Sequence, residues 1–493
     1  MELGAAAFGL FLLLLLLGLG WLGPGRGGGK GLPPGPRPWP LLGNLGQGLQ
    51  PLYEAYRRLW QQHGAVFTLW MGPRPTVVLC GHRALRQALL DHGEAMAGRP
   101  HIPAQHLVSR GYGLVGSSGE RWRQLRRFTL SALRDLGLSR RVMETRVQEA
   151  AQRLARDWHR HQGRAFDPQP DLSRAVCGVL GSLLFGPDFD PEDPPAREFL
   201  QLSEAYMRFF RSPAAQRYNA FPGLLHWLPG QHRRALREDT RVQAFIRAHI
   251  DAHRRRPAPP APQDFLDCYL RRQEQERGKA DTEFGDENLV ALVRSLFMAG
   301  TETTINTLQF GLLVLCKYPD VQARMRQELD AAVGRSRAPG AEDRAHLPYV
   351  LAVLHELQRY LDLVPGALPH ATTQPLDLRG HHLPQGTTVI PLLTSAHFEE
   401  GVWETPEDFN PGHFLDEKGA FRKREEAMPF SIGKRACPGE GLARLELLLF
   451  TTTLLQSLEL EPAGPPDAID LCALRRAFRG SSLAFQLCAR PRA

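Results

Sequence analysis

The chain reads as a mainly α-helical fold with small β-sheets. Three observations predict it. The longest periodic apolar run, Glu287 to Tyr318, has the length and all-round hydrophobicity of a buried helix. Residues 142–255 are mostly helical in pattern, with short breaks. The β-rich runs are few and short, and Gly or Pro turns bound them.

Residues 3–22 are almost wholly apolar, with a leucine run from Leu12 to Leu17. About twenty such residues span a bilayer as a helix. A cleaved signal peptide is the alternative. Against it, Glu2 is the only charge before the span, and the first positive charges, Arg26 and Lys30, follow it. The positive-inside rule then places the body of the protein in the cytosol. Residues 1–22 are therefore expected to be a membrane anchor. Residues 23–40 form a Gly/Pro-rich linker and hinge, ending in the stiff run Leu32 to Pro40, which cannot be helical. Residues 41–493 are expected to be one catalytic domain.

Within that domain, 51–63 reads as an amphipathic helix. Val66–Trp70 and Thr76–Cys80 read as a hairpin, and Ala84–His92 as another helix. Residues 100–117 form an apolar loop, either a lid or a loop tucked on the core. Residues 119–146 carry eight Arg against three acids, and Trp122 and Arg126 share one helical face. Phe209 and Phe210 fit either plain core or a pocket wall. Residues 257–262 are a proline-rich surface linker. Leu351–Tyr360 is helical, with Glu356 and Arg359 at ion-pair spacing. Leu376–Leu378, His381–Leu383 and Thr387–Pro391 are short strands. The pair His381-His382 lacks further ligands, so it does not read as a metal site. Phe478–Cys488 reads as a β-turn, with Arg479 at its tip.

Lys and Arg together number 60 against 52 acids, a diffuse basic excess of +8. It suits an anionic membrane surface or an acidic partner. No base-reading motif accompanies it, so nucleic acid is not an expected partner. Seven scattered cysteines, an odd number without a Cys-x-x-Cys pair, read as reduced thiols.

Two stretches carry chemistry. Ala299-Gly-Thr-Glu-Thr-Thr304 sits in the middle of the long helix, where Gly, an acid and Thr should distort it locally. Glu302 and Thr303 offer a carboxylate and a hydroxyl able to relay protons. The alternative is a capped kink. In Phe430–Gly439, Cys437 ends a loop and Pro438 opens the helical run Gly441–Leu458. The helix dipole there favours the thiolate over the thiol. Arg435 adds a positive charge. Taken alone, Cys437 could equally be a buried structural cysteine.

Phe430, Gly433, Arg435, Cys437 and Gly439 match Phe-x-x-Gly-x-Arg-x-Cys-x-Gly. In this the chain resembles the cytochrome P-450 family, whose haem-binding loop has that pattern. Other motifs fall in the family's order: the proline-rich hinge, Trp122 with Arg126, Ala299–Thr304, Glu356 with Arg359, and Phe409–Phe414. The resemblance is closest to the microsomal family-2 type. It implies the cytochrome P-450 fold with a buried haem b, Cys437 as axial iron ligand, and Trp122, Arg126, Arg99, His370 and Arg435 around the propionates. Phe430 and Gly433 complete the loop. It implies Glu356, Arg359 and His413 as a structural core and Thr303 with Glu302 as the oxygen-activating pair. It also implies one-oxygen insertion into a lipophilic xenobiotic, steroid or fatty acid. Electrons would come from NADPH through a flavoprotein reductase docked on the basic helix, with cytochrome b5 as a further partner. The location would be the endoplasmic reticulum membrane, with a single N-terminal span. Two other readings remain open: a haem-thiolate isomerase of lipid hydroperoxides, and a non-catalytic membrane haem protein.

Overall fold

The computed structural model describes residues 31–40, 42–49, 51–138, 141–480 and 485–492, with 11 and 15. The expected anchor and most of the glycine linker lie outside the described residues. Among the described residues no helix is long and apolar enough to cross a membrane. The proline-rich hinge is non-helical, as proline at φ near −65° without an N–H requires. It runs beside the first strand, where Thr68 N–H donates to Pro34 O at 2.8 Å.

Helices dominate. Those that frame the interior are α1 (Leu52–His63), α2 (Gly119–Leu133), α3 (Arg141–His159), α4 (Gln169–Phe185) and α5 (Pro194–Arg211). They continue with α6 (Gln231–Arg255), α7 (Asp286–Lys317), α8 (Pro348–Leu361), α9 (Glu440–Ser457) and α10 (Leu471–Gly480). The central helix, α7, contacts α4, α6, α8 and α9, because its sequence is apolar all round. A single large core made mostly of helix side chains surrounds it, with Trp158, Phe265, Tyr269, Phe297 and Phe450 fully buried.

The sheets lie to one side. The first runs β1 (Val66–Met71), β2 (Arg74–Leu79), then β7 (Thr388–Pro391) and β4 (His370–Ala371). β1 and β2 form the expected hairpin, turned at Gly72, whose φ is +64°. β2 then pairs in parallel with β7, more than 300 residues later, which no local pattern announces. β5 (Leu376–Leu378) and β6 (His381–Leu383) form a separate hairpin. β3 (Ala165–Phe166), β9 (Leu487–Pro491) and β8 (Leu458–Pro462) make the third sheet.

Several expectations are corrected. Residues 100–117 are not all loop: Pro103–Ser109 is helical, with Pro103 at its start. Phe478–Cys488 is not one β-turn. Phe478 to Gly480 end α10, residues 481–484 and the Arg479 side chain lie outside the described residues, and Cys488 belongs to β9. The helix after Cys437 starts at Glu440 with Gly439 as its N-cap, so Pro438 precedes the helix instead of opening it. The expected distortion of α7 is absent. Helix is unbroken from Asp286 to Lys317, and Thr301 and Thr303 hydroxyls donate to the Phe297 and Ala299 carbonyls at 2.8 and 2.6 Å. Back-bonding satisfies the hydroxyls inside the helix, so they do not need to break it.

Glu356 and Arg359 form a fully buried bidentate pair, 2.7 Å at both contacts. His413 Nδ1 lies 3.3 Å from both oxygens of Glu356. Arg359 also donates to the carbonyls of His397, Pro406 and Asp408 at 2.7–2.8 Å. Every donor is thus used, the condition under which a buried ion pair is tolerable. The pair pins α8 to the loop that leads to Cys437. His382 meets Asp377 at 2.8 Å, and the histidine pair gathers no third ligand among the described residues.

Candidate active site

Cys437 ends a tight loop. Its N–H donates to Phe430 O at 2.9 Å, and Ala436 N–H to Gly433 O at 3.2 Å. Gly433 has φ +78°, and a Cβ there would sit 1.9 Å from the Leu89 carbonyl oxygen. No side chain fits that contact, so glycine is required on two grounds. Arg126 Nη2 donates to Ala436 O at 2.8 Å and brings its charge beside the sulfur. The Cys437 side chain is accessible although protein encloses it on most sides, as for a thiol facing an internal void. Burial pushes its pKa up, against the pull of the Gly439 and Glu440 N–H groups and Arg126. The pull expected at the helix start is present, and desolvation opposes it.

Beside the loop stands a wall of positive charge. Arg435, 9 % exposed, donates to the carbonyls of Ala97, Leu114 and Ser117 at 2.7, 3.3 and 2.6 Å. Its guanidinium lies over the Trp122 ring, 4.0 Å from the centroid. Arg99 donates to Val115 O, Leu368 O and Pro369 O at 3.2, 3.0 and 2.8 Å. His370 Nδ1 is 2.6 Å from Met96 O. The structure thus gathers Arg99, Trp122, Arg126, His370 and Arg435, and the apolar segment 114–117 supplies carbonyls that hold two of the arginines.

These groups await an anion. Among the described residues none of the three arginines meets a carboxylate. Burial and mutual repulsion push Arg435 down to about 8 and Arg99 to about 10. Burial and the nearby arginines push His370 to about 3. Trp122 Nε1 is buried without a partner. Three cations and an orphan indole N–H fit a group with two anionic arms, as the propionates of haem are.

The motif turn of α7 opens toward the interior. Ala299 is exposed and Glu302 and Thr303 are half-buried, in a helix otherwise buried along most of its length. Gly300 lets α4 approach, since a Cβ there would lie 2.7 Å from Leu180 Cδ2. Glu302 Oε1 pairs with Arg211 Nη2 of α5 at 2.8 Å, while Oε2 is buried without a partner. Burial pushes the Glu302 carboxyl up, with Arg211 opposing and Glu204 adding. Thr304 Oγ1 lies 3.5 Å from Glu446 Oε2 on α9, the helix that Cys437 precedes. Val364 and Leu368 add exposed apolar side chains next to the Arg99 contacts.

Sequence reading missed Arg211 and Glu446. Arg211 carries no sequence signal, because its partner lies 91 residues away. Glu446 did carry one: a single acid within the run Leu445–Phe450 is a buried acid if that run is core.

The family model described as Cytochrome P450 matches residues 33–473. Cytochrome P450 2B4 of Oryctolagus cuniculus is 43 % identical over 441 residues, 89 % of this chain and 90 % of the relative. Cytochrome P450 2C23 of Rattus norvegicus is 41 % identical over 462 residues, 94 % of each chain. Cytochrome P450 2F3 of Capra hircus is 40 % identical, again over 94 % of each.

Proposed function

This chain belongs to the cytochrome P450 family and is a haem-thiolate monooxygenase; from that premise we propose that it inserts one oxygen atom of O2 into a lipophilic small molecule, a xenobiotic, steroid or fatty acid. Its cofactor is haem b, and electrons from NADPH reach it through a reductase. When bound with a thiolate ligand, haem would supply reductive O2 activation and O–O cleavage. The observation that carries the reading is the unpaired cationic wall beside Cys437.

In this reading Cys437 Sγ would ligate the haem iron, and Arg99, Arg126, Arg435, His370 and Trp122 Nε1 would hold the propionates. Thr303 Oγ1, anchored on the Ala299 carbonyl, presents a hydroxyl to the interior. Glu302, half-buried and paired with Arg211, stands next to it as a carboxyl group that can take up a proton and pass it on. Ala299, Val364 and Leu368 offer the substrate apolar walls, which orient without strict selection. Arg123, Arg127 and Arg134 are exposed along one stretch, and Lys434 lies on the adjoining loop. That basic face suits an acidic reductase, with cytochrome b5 as an alternative donor.

Residues 1–22 would anchor the protein in the endoplasmic reticulum membrane with the domain of residues 41–493 in the cytosol. The exposed Leu224, Trp227 and Leu228 cluster supports contact with lipid.

The test is a panel of steroids, fatty acids, retinoids and drugs incubated with purified protein, reductase and NADPH under isotopically labelled O2. The expected result is a product carrying one labelled oxygen, dependent on NADPH. Turnover of lipid hydroperoxides without NADPH would replace this reading with an isomerase.

A further inference from the structure

Glu446 differs from the other buried acids of the interior. Asp239 pairs with Arg294, Asp264 with His253 and Arg256, Glu356 with Arg359, and Asp362 with His397. Glu446 is 3 % exposed and has no ion pair among the described residues. Its Oε1 has no partner, and its Oε2 has only the Thr304 hydroxyl at 3.5 Å. An unpaired carboxylate in such a place costs several kcal/mol, so the group neutralises instead.

The surroundings offer it no cation. The Cys177 thiol of α4 is close enough to feel its charge, and burial pushes that thiol up as well. On α3, Arg146 is turned to Ser182 and Glu144 to the Ala341 N–H. On α8, His355 and Gln358 are both engaged by Arg444. Thr304 is itself unusual. Thr301, Thr303 and Thr307 donate to carbonyls four residues back, whereas the contact found for the Thr304 hydroxyl is Glu446.

We propose that Glu446 is a proton-carrying carboxylic acid at neutral pH, with Oε2 taking the Thr304 hydroxyl and Oε1 holding the proton, and that this uncharged contact positions the Thr303–Thr304 turn of α7 against the helix behind Cys437. It is a positioning residue: it acts on the reaction through Thr304 and its neighbour. Burial raises its pKa from 4.5 to about 8, consistent with the geometry. A neutral acid joins two helices here without an ion pair. The inference deepens the reading of Thr303 given above, but its primary readout is independent of turnover.

The experiment is infrared spectroscopy of the full-length holoprotein, as wild type and as Glu446→Gln, titrated from neutral to alkaline pH. The wild type should show the carbonyl stretch of a protonated carboxyl at neutral pH, lost as pH passes about 8. Glu446→Gln should lack that band. Thr304→Val should keep the band at a shifted frequency and raise NADPH consumption per product severalfold. Absence of the band in the wild type at neutral pH, or its persistence in Glu446→Gln, overturns the protonation. An unshifted band with unchanged coupling in Thr304→Val overturns the positioning role. Should Glu446→Gln fail to fold, the Thr304→Val shift decides the assignment.

Discussion

Replacing Gly433 with alanine should empty the protein of haem while leaving most of the fold intact. The magnitude follows from two terms. Holding alanine at φ +78° costs about 1–2 kcal/mol in left-handed strain. The new methyl would also stand 1.9 Å from the Leu89 carbonyl oxygen, where backbone on both sides must give way. Overpacking of that kind costs about 1–3 kcal/mol more. Gly401 provides the control, because its φ is also +78° and nothing lies within 4 Å of a Cβ built on it. Gly401→Ala should show the strain alone. The difference between the two variants isolates the clash, and about 1–3 kcal/mol corresponds to roughly 5- to 150-fold in haem retention. The assay is the Soret absorbance per protein during transfer of haem to an excess of a haem-scavenging apoprotein, with thermal unfolding of both variants alongside. Equal haem retention in Gly433→Ala and Gly401→Ala would refute the claim that the Leu89 contact sets the position of the Cys437 loop.

Arg359→Leu should destabilise by about 3–5 kcal/mol, because it strands a fully buried Glu356, whereas Arg490→Leu, an exposed partner of Glu461, should cost under about 1 kcal/mol. Urea unfolding midpoints of the two variants check this. His355 is half-buried and faces Arg444; desolvation and that charge together push its pKa from 6.5 to about 3. A base held neutral in this way contributes stability above pH 6.5, and that contribution falls away as pH drops toward about 3. His355→Gln should therefore flatten the acid side of the stability profile, read as unfolding midpoint against pH. Thr303→Ala removes the hydroxyl but leaves the helix intact, so NADPH use should uncouple from product and release more peroxide. Unchanged coupling would remove Thr303 from proton delivery.

Much of this was legible because it is local. Cys437 with its glycines, Trp122 with Arg126 at four residues' spacing, and Glu356 with Arg359 at three are short-range patterns. So are the β1–β2 hairpin and the apolar run of α7. What was not legible is what distant segments do to each other. The parallel pairing of β2 with β7 and the Arg211–Glu302 contact depend on the folded path alone. The same holds for Cys437: a helix start is visible in sequence, whereas the burial that opposes its pull is not. The motif turn of α7 was expected to bend because Gly and Thr are weak helix formers. Tertiary packing on Leu180 and hydroxyl back-bonding override that propensity.

The central proposal is a cysteine thiolate at one face of a haem held by the Arg99, Arg126, Arg435, His370 and Trp122 wall. The most direct test is the absorption spectrum of the reduced protein under carbon monoxide. The expected result is the strongly red-shifted Soret band of thiolate ligation, abolished in Cys437→Ala and retained in Cys177→Ala. A band typical of histidine-ligated haem, or one that survives loss of Cys437, would contradict it.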